Sequence, residues 1–423
     1  MLIEMSVANF RSFRETQTFT LVKGKGDEMV ATNTFNAAAA NNIALLRSAA
    51  IYGPNASGKS NLLLALQTMK QVVVESAINL HRGDKLPVTP FRLSPDTRQH
   101  PSEFEATFLV NGVRYQYGFA ATAERIHEEW LLAYPKGRPQ RWFNRAWDPT
   151  DQRYDWELGN NLTGEKQLWQ KSTRDNALFL STAVQLNSEQ LQPIFDWFKN
   201  TLRLVNVGGW GPAFSASLCE SSGKARIMDF LRAADLHIDD VLVELKPFDA
   251  DALPTDIPEP LRDMIAGDMK DKKIFDIKTV HKDNEGKPVD FDFGDESDGT
   301  RKLFSFAGPW IDSLTKGYVL FIDELHDNLH PRLVQFLVQL FHNLETNPNN
   351  AQLVFTTHET SILNQEIFRR DQIWFCEKDK NQATVLYPLT DFSPRKGREN
   401  LEAAYLSGRY GALPFIRPLK QIG

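Results

Sequence analysis

Gly53-Pro54-Asn55-Ala56-Ser57-Gly58-Lys59-Ser60 combines spaced glycines, a lysine and a hydroxyl in the order of a phosphate-binding loop. An apolar run ending Ala49-Ala50-Ile51-Tyr52 leads into it, and a helix-like stretch, Asn61-Leu62-Leu63-Leu64-Ala65-Leu66, follows. Glycines let such a loop fold tightly with its N–H groups turned inward, so Gly53, Asn55, Ala56, Ser57, Gly58 and Asn61 are expected to line a triphosphate. Lys59 is expected to reach the β- and γ-phosphates. Ser60 is expected to ligate Mg²⁺ at the start of a helix whose positive end also favours the anion. The chemistry implied is binding of a nucleoside triphosphate with Mg²⁺.

A second set of residues would act on that ligand. Leu320-Phe321-Ile322-Asp323-Glu324 is an apolar strand ending in two carboxylates. Asp323 is expected to hold Mg²⁺ through water, and Glu324 to orient and deprotonate the attacking water. Thr356-Thr357-His358 ends another such run. A lone histidine is usually a structural residue, but at the same sheet edge His358 would contact the γ-phosphate. More than half the chain separates Lys59 from Asp323, so a large insertion is expected between them. Before the acidic strand stands Glu296-Ser297-Asp298-Gly299-Thr300-Arg301-Lys302, leading into a helix-like segment to Leu314. Ser297 can cap that helix and Gly299 leaves its backbone open, which makes a second phosphate-binding surface rather than a plain cap.

Two other patterns are set aside. His326 and His330 have the spacing of a helical metal pair, but Asn328 and Pro331 interrupt it, so zinc is not expected. Asp290-Phe291-Asp292 resembles a metal-binding acidic pair, yet its alternation describes a plain strand, and the stretch after His358 is short for an added nuclease domain.

The elements that must position these residues belong to a folded globular chain of 423 residues, long enough for two or three lobes. A net charge of −6 gives no global attraction for nucleic acid. The basic runs Lys23-Gly24-Lys25, Lys270-Asp271-Lys272-Lys273 and Arg395-Lys396-Gly397-Arg398 are short and read as solvated surface. Cys219 and Cys376 are far apart, which suits a reducing cytoplasm. The N-terminus does not read as a signal peptide, and no apolar run approaches the roughly 20 residues of a membrane span, so a cytoplasmic protein without membrane contact is expected.

Leu2–Val7 and Phe19–Val22 read as strands, and 102–134 as a meander turning at Asn111-Gly112. From Glu165 to Leu236 the pattern is mainly helical, broken by the loop Gly208–Pro212, and Pro247–Asp268 reads as a surface connection. Then come buried strands at Tyr318–Asp323, Gln352–Thr357 and Asp371–Cys376, with helices at Pro331–Leu344 and Thr360–Phe368. That alternation builds an open α/β sheet with its site at the strand ends.

Taken with Asn9-Phe10-Arg11-Ser12-Phe13, Leu329-His330-Pro331 and Gly408-Arg409-Tyr410-Gly411, these motifs resemble, in order and over nearly the whole chain, the ABC-type ATPases of the SMC and RecF kind. Within that class the chain looks most like the RloA and AbiLi abortive-infection ATPases. Its Glu296-Ser297-Asp298-Gly299 departs from the commoner Leu-Ser-Gly-Gly signature. The resemblance implies an α/β ATPase head with a β-rich N-terminal lobe, split over 1–150 and 276–423, around a helical insertion at 151–275. It also implies that Lys59, Ser60, Asp323, Glu324 and His358 surround ATP on one head, that Arg11 approaches the nucleotide, and that Ser297 and Gly299 come from a second head. Asp327-Asn328 would communicate between the two sites, and the position of the metal-sensing glutamine is left open, with Gln99 and Gln116 as candidates. ATP would then glue a homodimer or a larger assembly. The defence group implies antiphage action through a separately encoded effector, a nuclease, triggered by a phage component or nucleic acid. The rival is a RecF-like repair ATPase on DNA without a toxin, and a third reading is a slow nucleotide-bound scaffold.

Overall fold

The computed structural model describes residues 1–37, 42–206, 209–248, 258–269 and 273–415. They divide into two compact units, Met1–Val207 with Ser313–Asp327 and Val334–Gly423, and Gly208–Asp312 with Asn328–Leu333.

The first unit is built on two sheets. A seven-stranded antiparallel sheet takes in Gln17–Thr20, Leu2–Ala8, and then a meander of Ser102–Val110, Val113–Ala121, Ile126–Tyr134, Gln140–Asp148 and Arg153–Leu158. The turn expected at Asn111-Gly112 is present. Both residues have positive φ, 50° and 76°, the mirror-image turn that matches strand twist, and Val110 pairs with Val113. The meander runs on to Leu158, further than its sequence pattern indicates.

The second, six-stranded sheet has the order Leu202–Val205, Val319–Ile322, Gln352–Thr356, Ser48–Tyr52, Ile373–Lys378 and Thr384–Pro388. The first five strands are parallel and the last is antiparallel. Its three middle strands are buried along their whole length, which accounts for their unbroken apolar sequences. Gln352, fully buried, joins the two sheets by accepting the Leu2 N–H at 2.7 Å and donating to the Leu2 carbonyl at 3.0 Å. Phe19 lies against Trp374 and Phe321, at 5.1 and 6.4 Å between ring centres. At the foot of Ser48–Tyr52, the Ser48 hydroxyl meets His342 Nε2 at 2.7 Å, and Gln372 donates to the same hydroxyl at 2.9 Å.

Helices fill much of 166–233, with Leu202–Val205 interleaved as an edge strand of the nucleotide-sheet type. Two element readings are corrected. Thr360–Phe368 is not a helix: a single 3-10 turn at Thr360–Ile362 is followed by turns. The stretch read as a surface connection contains the helix Glu259–Met269. Of the surface runs, Lys23 donates to the Gly24 carbonyl and Lys396 pairs with Asp27, while Lys270-Asp271-Lys272 and Gly208 lie outside the described residues.

The second unit holds a three-stranded antiparallel sheet, Asp240–Pro247, Lys273–Lys282 and Pro288–Asp292. Asp290 and Asp292 are exposed on its edge strand, as the plain-strand reading expected. A long helix begins in this unit at Asp298, with Pro309 inside, and its last residues, to Lys316, belong to the first unit. Proline leaves the carbonyl four residues earlier without its partner. The Ser215 hydroxyl reaches that Ser305 carbonyl at 3.4 Å and accepts the Gly308 N–H at 2.9 Å, which lets the helix pass through the proline.

Candidate functional site

Strand register brings the expected chemistry together. Ile322 pairs with Phe355 and Thr356 with Ile51, so the chain after three adjacent parallel strands emerges along one edge carrying Gly53, Asp323 and Thr357. Gly53 to Gly58 then loop into the helix Lys59–Glu75, whose apolar residues Leu62, Leu63, Leu66, Met69 and Val73 anchor it in the core.

The loop has the backbone of an anion cradle. Gly53 and Gly58 have φ of 156° and 112°, and Ala56 also lies in the left-handed region. A Cβ on Gly53 would stand 2.2 Å from the Cys376 carbonyl, so no larger residue fits. The N–H groups of Ala56, Gly58, Lys59, Ser60 and Asn61 find no acceptor among the described residues. The buried Ser57 Oγ is likewise without a partner among them. Unpaired donors at a helix start, with Ser60 exposed beside them, fit a magnesium-bound triphosphate. Lys59 is buried and curls over the loop, donating to the Gly53 and Pro54 carbonyls at 2.8 and 3.1 Å. Burial lowers its pKa from the usual lysine range, and nearby Cys376, Glu324 and Asp323 oppose that shift.

The acids are held by a residue that sequence reading left without a role. The fully buried Thr356 hydroxyl donates to Asp323 Oδ1 at 2.6 Å and accepts the Glu324 N–H at 2.8 Å. Asp323 is buried, whereas the Glu324 side chain is about one third exposed. His358 Nε2 lies 3.7 Å from Glu324 Oε1, and its ring stands edge-on to His326 at 5.4 Å. Burial, then Lys59 and His326, depress the His358 pKa below the usual histidine range, and Glu324 opposes them. Lys59, Asp323, Glu324 and His358 thus form one electrostatic cluster.

Other expected residues fall as follows. Arg11 is exposed, with φ 50°, its guanidinium 5.8 Å from the Phe10 ring centre. Asn55 is exposed, and the Asn61 amide donates to Ser12 Oγ at 2.7 Å. Gln99 is exposed on a short 3-10 turn, and Gln116 lies in the meander, where Tyr134 donates to it. In the second unit, exposed Ser297 caps its helix by accepting the Thr300 N–H at 3.1 Å. A Cβ on Gly299 would meet the Asn328 carbonyl at 3.3 Å. Glu296, beside Ser297, is held by Thr279 and His281 at 2.6 and 2.7 Å. His330 accepts the Arg332 N–H, and no cluster of three His, Cys, Asp or Glu side chains among the described residues is arranged to hold a metal.

The family comparison agrees with this geometry. The family model described as "AAA domain, putative AbiEii toxin, Type IV TA system" matches residues 48–364, from the strand before the phosphate loop to beyond His358. A search of curated proteins returned no match. Among solved structures, the SMC head domain from Thermotoga maritima is 14% identical over 92% of this chain and 98% of its own, with a TM-score of 0.39. The recombination mediator protein RecF, in its RecF-ATPrS structure from the RecFOR pathway, is 12% identical over 91% and 98%, with a TM-score of 0.34. The cbiO1 protein from Clostridium perfringens, part of the ABC transporter complex cbiONQ, is 11% identical over 90% and 94%, with a TM-score of 0.30. With scores this low, these likenesses add nothing to what strand order and loop geometry establish. No described helix is long and apolar enough to cross a membrane.

Proposed function

The chain belongs to this AAA-domain family, and we propose that it is an ATP-hydrolysing switch. Two copies close on ATP, hydrolysis releases them, and the closed state controls a separately encoded effector in antiphage defence of the RloA and AbiLi kind. The observation that carries the enzymatic part is the cluster at one sheet edge: Asp323 and Glu324 on the Thr356 hydroxyl, His358 beside Glu324, and Lys59 at the helix start after the neighbouring loop.

Mg²⁺, held by Ser60 and Asp323, would neutralise charge on the β- and γ-oxygens. Lys59 leaves the loop carbonyls for the phosphates. Glu324 orients a water and takes its proton as the water oxygen bonds the γ-phosphorus. The bond from that phosphorus to the bridging oxygen breaks, and its electron pair leaves with ADP. His358, biased to its neutral form, can donate a hydrogen bond to a γ-oxygen without adding a fixed charge. Arg11 adds a cation from the N-terminal lobe.

Ser297 and Gly299 are the lip that a second copy lays over the phosphates. Their support is the exposed Ser297, capping a helix start, and the two residues' position in the signature segment. The toxin–antitoxin description of the family supports an effector partner, read here as a nuclease, with a phage component or nucleic acid as the trigger. The test is light scattering of Glu324→Gln with and without ATP and Mg²⁺. A doubling of mass with nucleotide is expected. A wild-type protein that neither hydrolyses ATP nor changes size with it refutes the switch.

A further inference from the structure

Behind the phosphate loop lies a set of hydroxyls with no assigned part in the chemistry. Thr384, buried at the start of the strand Thr384–Pro388, stands at its centre. Its Oγ1 is 2.7 Å from the Ser57 carbonyl, 2.8 Å from Ser12 Oγ and 3.0 Å from Lys378 Nζ. A threonine hydroxyl has one proton and two lone pairs. The carbonyl only accepts and the ammonium only donates, so Thr384 gives its proton to Ser57 and Ser12 gives its own to Thr384. The Ser12 oxygen in turn accepts from Asn61 Nδ2 at 2.7 Å. Every bond therefore has one direction, and the Thr384 hydroxyl is used to capacity.

The backbone reinforces the link, because the Thr384 N–H donates to the Ser12 carbonyl at 2.7 Å. Gly58 makes room for it. A Cβ there would stand 2.1 Å from Thr384 Oγ1 and 2.9 Å from Ser12 Oγ. Ser12 follows Arg11, so the same relay that grips the loop at Ser57 and Asn61 ends one residue from the exposed arginine.

Resting on the ATP-switch reading, we infer that Thr384 and Ser12 are positioning residues for the nucleotide. They hold the Ser57–Gly58 peptide from behind and lock it to the turn carrying Arg11, so that loop and arginine engage the triphosphate together.

The test is titration of mant-ATP with Mg²⁺ against the full chain and its Thr384→Val, Thr384→Ser and Ser12→Ala variants, with thermal melts without nucleotide to read the folding cost separately. Thr384→Val is expected to raise Kd roughly tenfold, the scale of one buried carbonyl losing its donor. Thr384→Ser should restore affinity, and in turnover the loss should fall on KM more than on kcat. Arg11→Ala should cost less affinity in the Thr384→Val background than in the wild type, because the relay couples the two sites. If Thr384→Val does not fold, Ser12→Ala carries the same cycle. Equal Kd for wild type and a folded relay variant, or an Arg11→Ala effect independent of background, overturns the inference. A wild type that binds no mant-ATP instead overturns the nucleotide reading beneath it.

Discussion

Replacing Thr356 by valine keeps the shape of a fully buried side chain and deletes the one hydroxyl shared by both acids. Two losses follow. Asp323, a buried carboxylate, loses a charge-assisted hydrogen bond of about 2 kcal/mol, and the Glu324 N–H, left without its acceptor, adds about 1 kcal/mol. Stability should fall by roughly 3 kcal/mol, read as a lower urea midpoint at unchanged m. Without the shared hydroxyl the Asp323 carboxylate and the Glu324 turn are also free to shift, and misplaced catalytic groups should lower kcat by on the order of 10- to 100-fold. Phosphate release at saturating ATP and Mg²⁺ measures the second effect. Thr356→Ser should recover most of both, since it restores the hydroxyl and loses only a methyl. A valine variant with the wild-type midpoint and turnover within about twofold would refute the claim that this hydroxyl organises the acids.

Lys59→Ala should abolish mant-ATP binding, whereas Ser297→Arg should leave binding intact and block the ATP-dependent mass increase seen by light scattering. Glu129 is fully buried between Arg145 at 3.1 Å, the Tyr117 hydroxyl and the N–H groups of Phe179 and Leu180, so Glu129→Ala should cost about 3–5 kcal/mol in urea denaturation by stranding the guanidinium. Burial lowers the His342 pKa to about 3, against about 6.5 unfolded, so its neutral form stabilises the fold above pH 6.5 and that contribution is lost as pH falls from 6.5 towards 3. Wild type should accordingly lose more stability over that window than His342→Gln, as measured by denaturation at each pH. Glu324→Gly should abolish turnover yet raise stability by about 1 kcal/mol, because glycine accepts the left-handed backbone at that position; a melting temperature no higher than wild type argues against strain there.

What the sequence made legible was local. The phosphate loop, the acidic strand end and the Asn111-Gly112 hairpin each pack their signal into a few consecutive residues whose spacing follows directly from backbone geometry. Pairing between distant segments has no such signal. Leu202–Val205 is short and follows directly on a helical turn, and only its parallel register with Val319–Ile322 makes it a strand of this sheet. Thr356 and Thr384 look like ordinary strand threonines, and their roles arise because Gln352–Thr356 neighbours the acidic strand and Thr384 meets the loop and Ser12. The misread helix at Thr360–Phe368 has a physical cause as well. Glu359 caps Ser361, and the Asn364 side chain then accepts the Glu366 N–H, so side chains compete for the amides that a helix would use.

Left-handed backbone occurs at three residues where the chemistry is proposed. Glu324 has φ 51° without being a glycine, as do Ala56 in the loop at 62° and Arg11 at 50°. A left-handed L-residue costs on the order of 1–2 kcal/mol, so each such position persists only if its surroundings hold it. For Glu324 the holding groups are visible: Thr356 takes its N–H through the hydroxyl and the following N–H, that of Leu325, through its carbonyl at 3.2 Å. A relaxed residue there would turn the chain differently after Asp323 and move the carboxylate relative to His358. For Arg11 the neighbouring Ser12 is fixed by Thr384 from both backbone and side chain. The two threonines thus do the same work on opposite sides of the loop: each lies on a regular strand, both donates and accepts through its hydroxyl, and immobilises a strained residue expected to face the triphosphate. Rigid strands supply the precision that the strained turns need, and this is why an acid, a histidine and a lysine so widely separated in the chain can meet in one cluster.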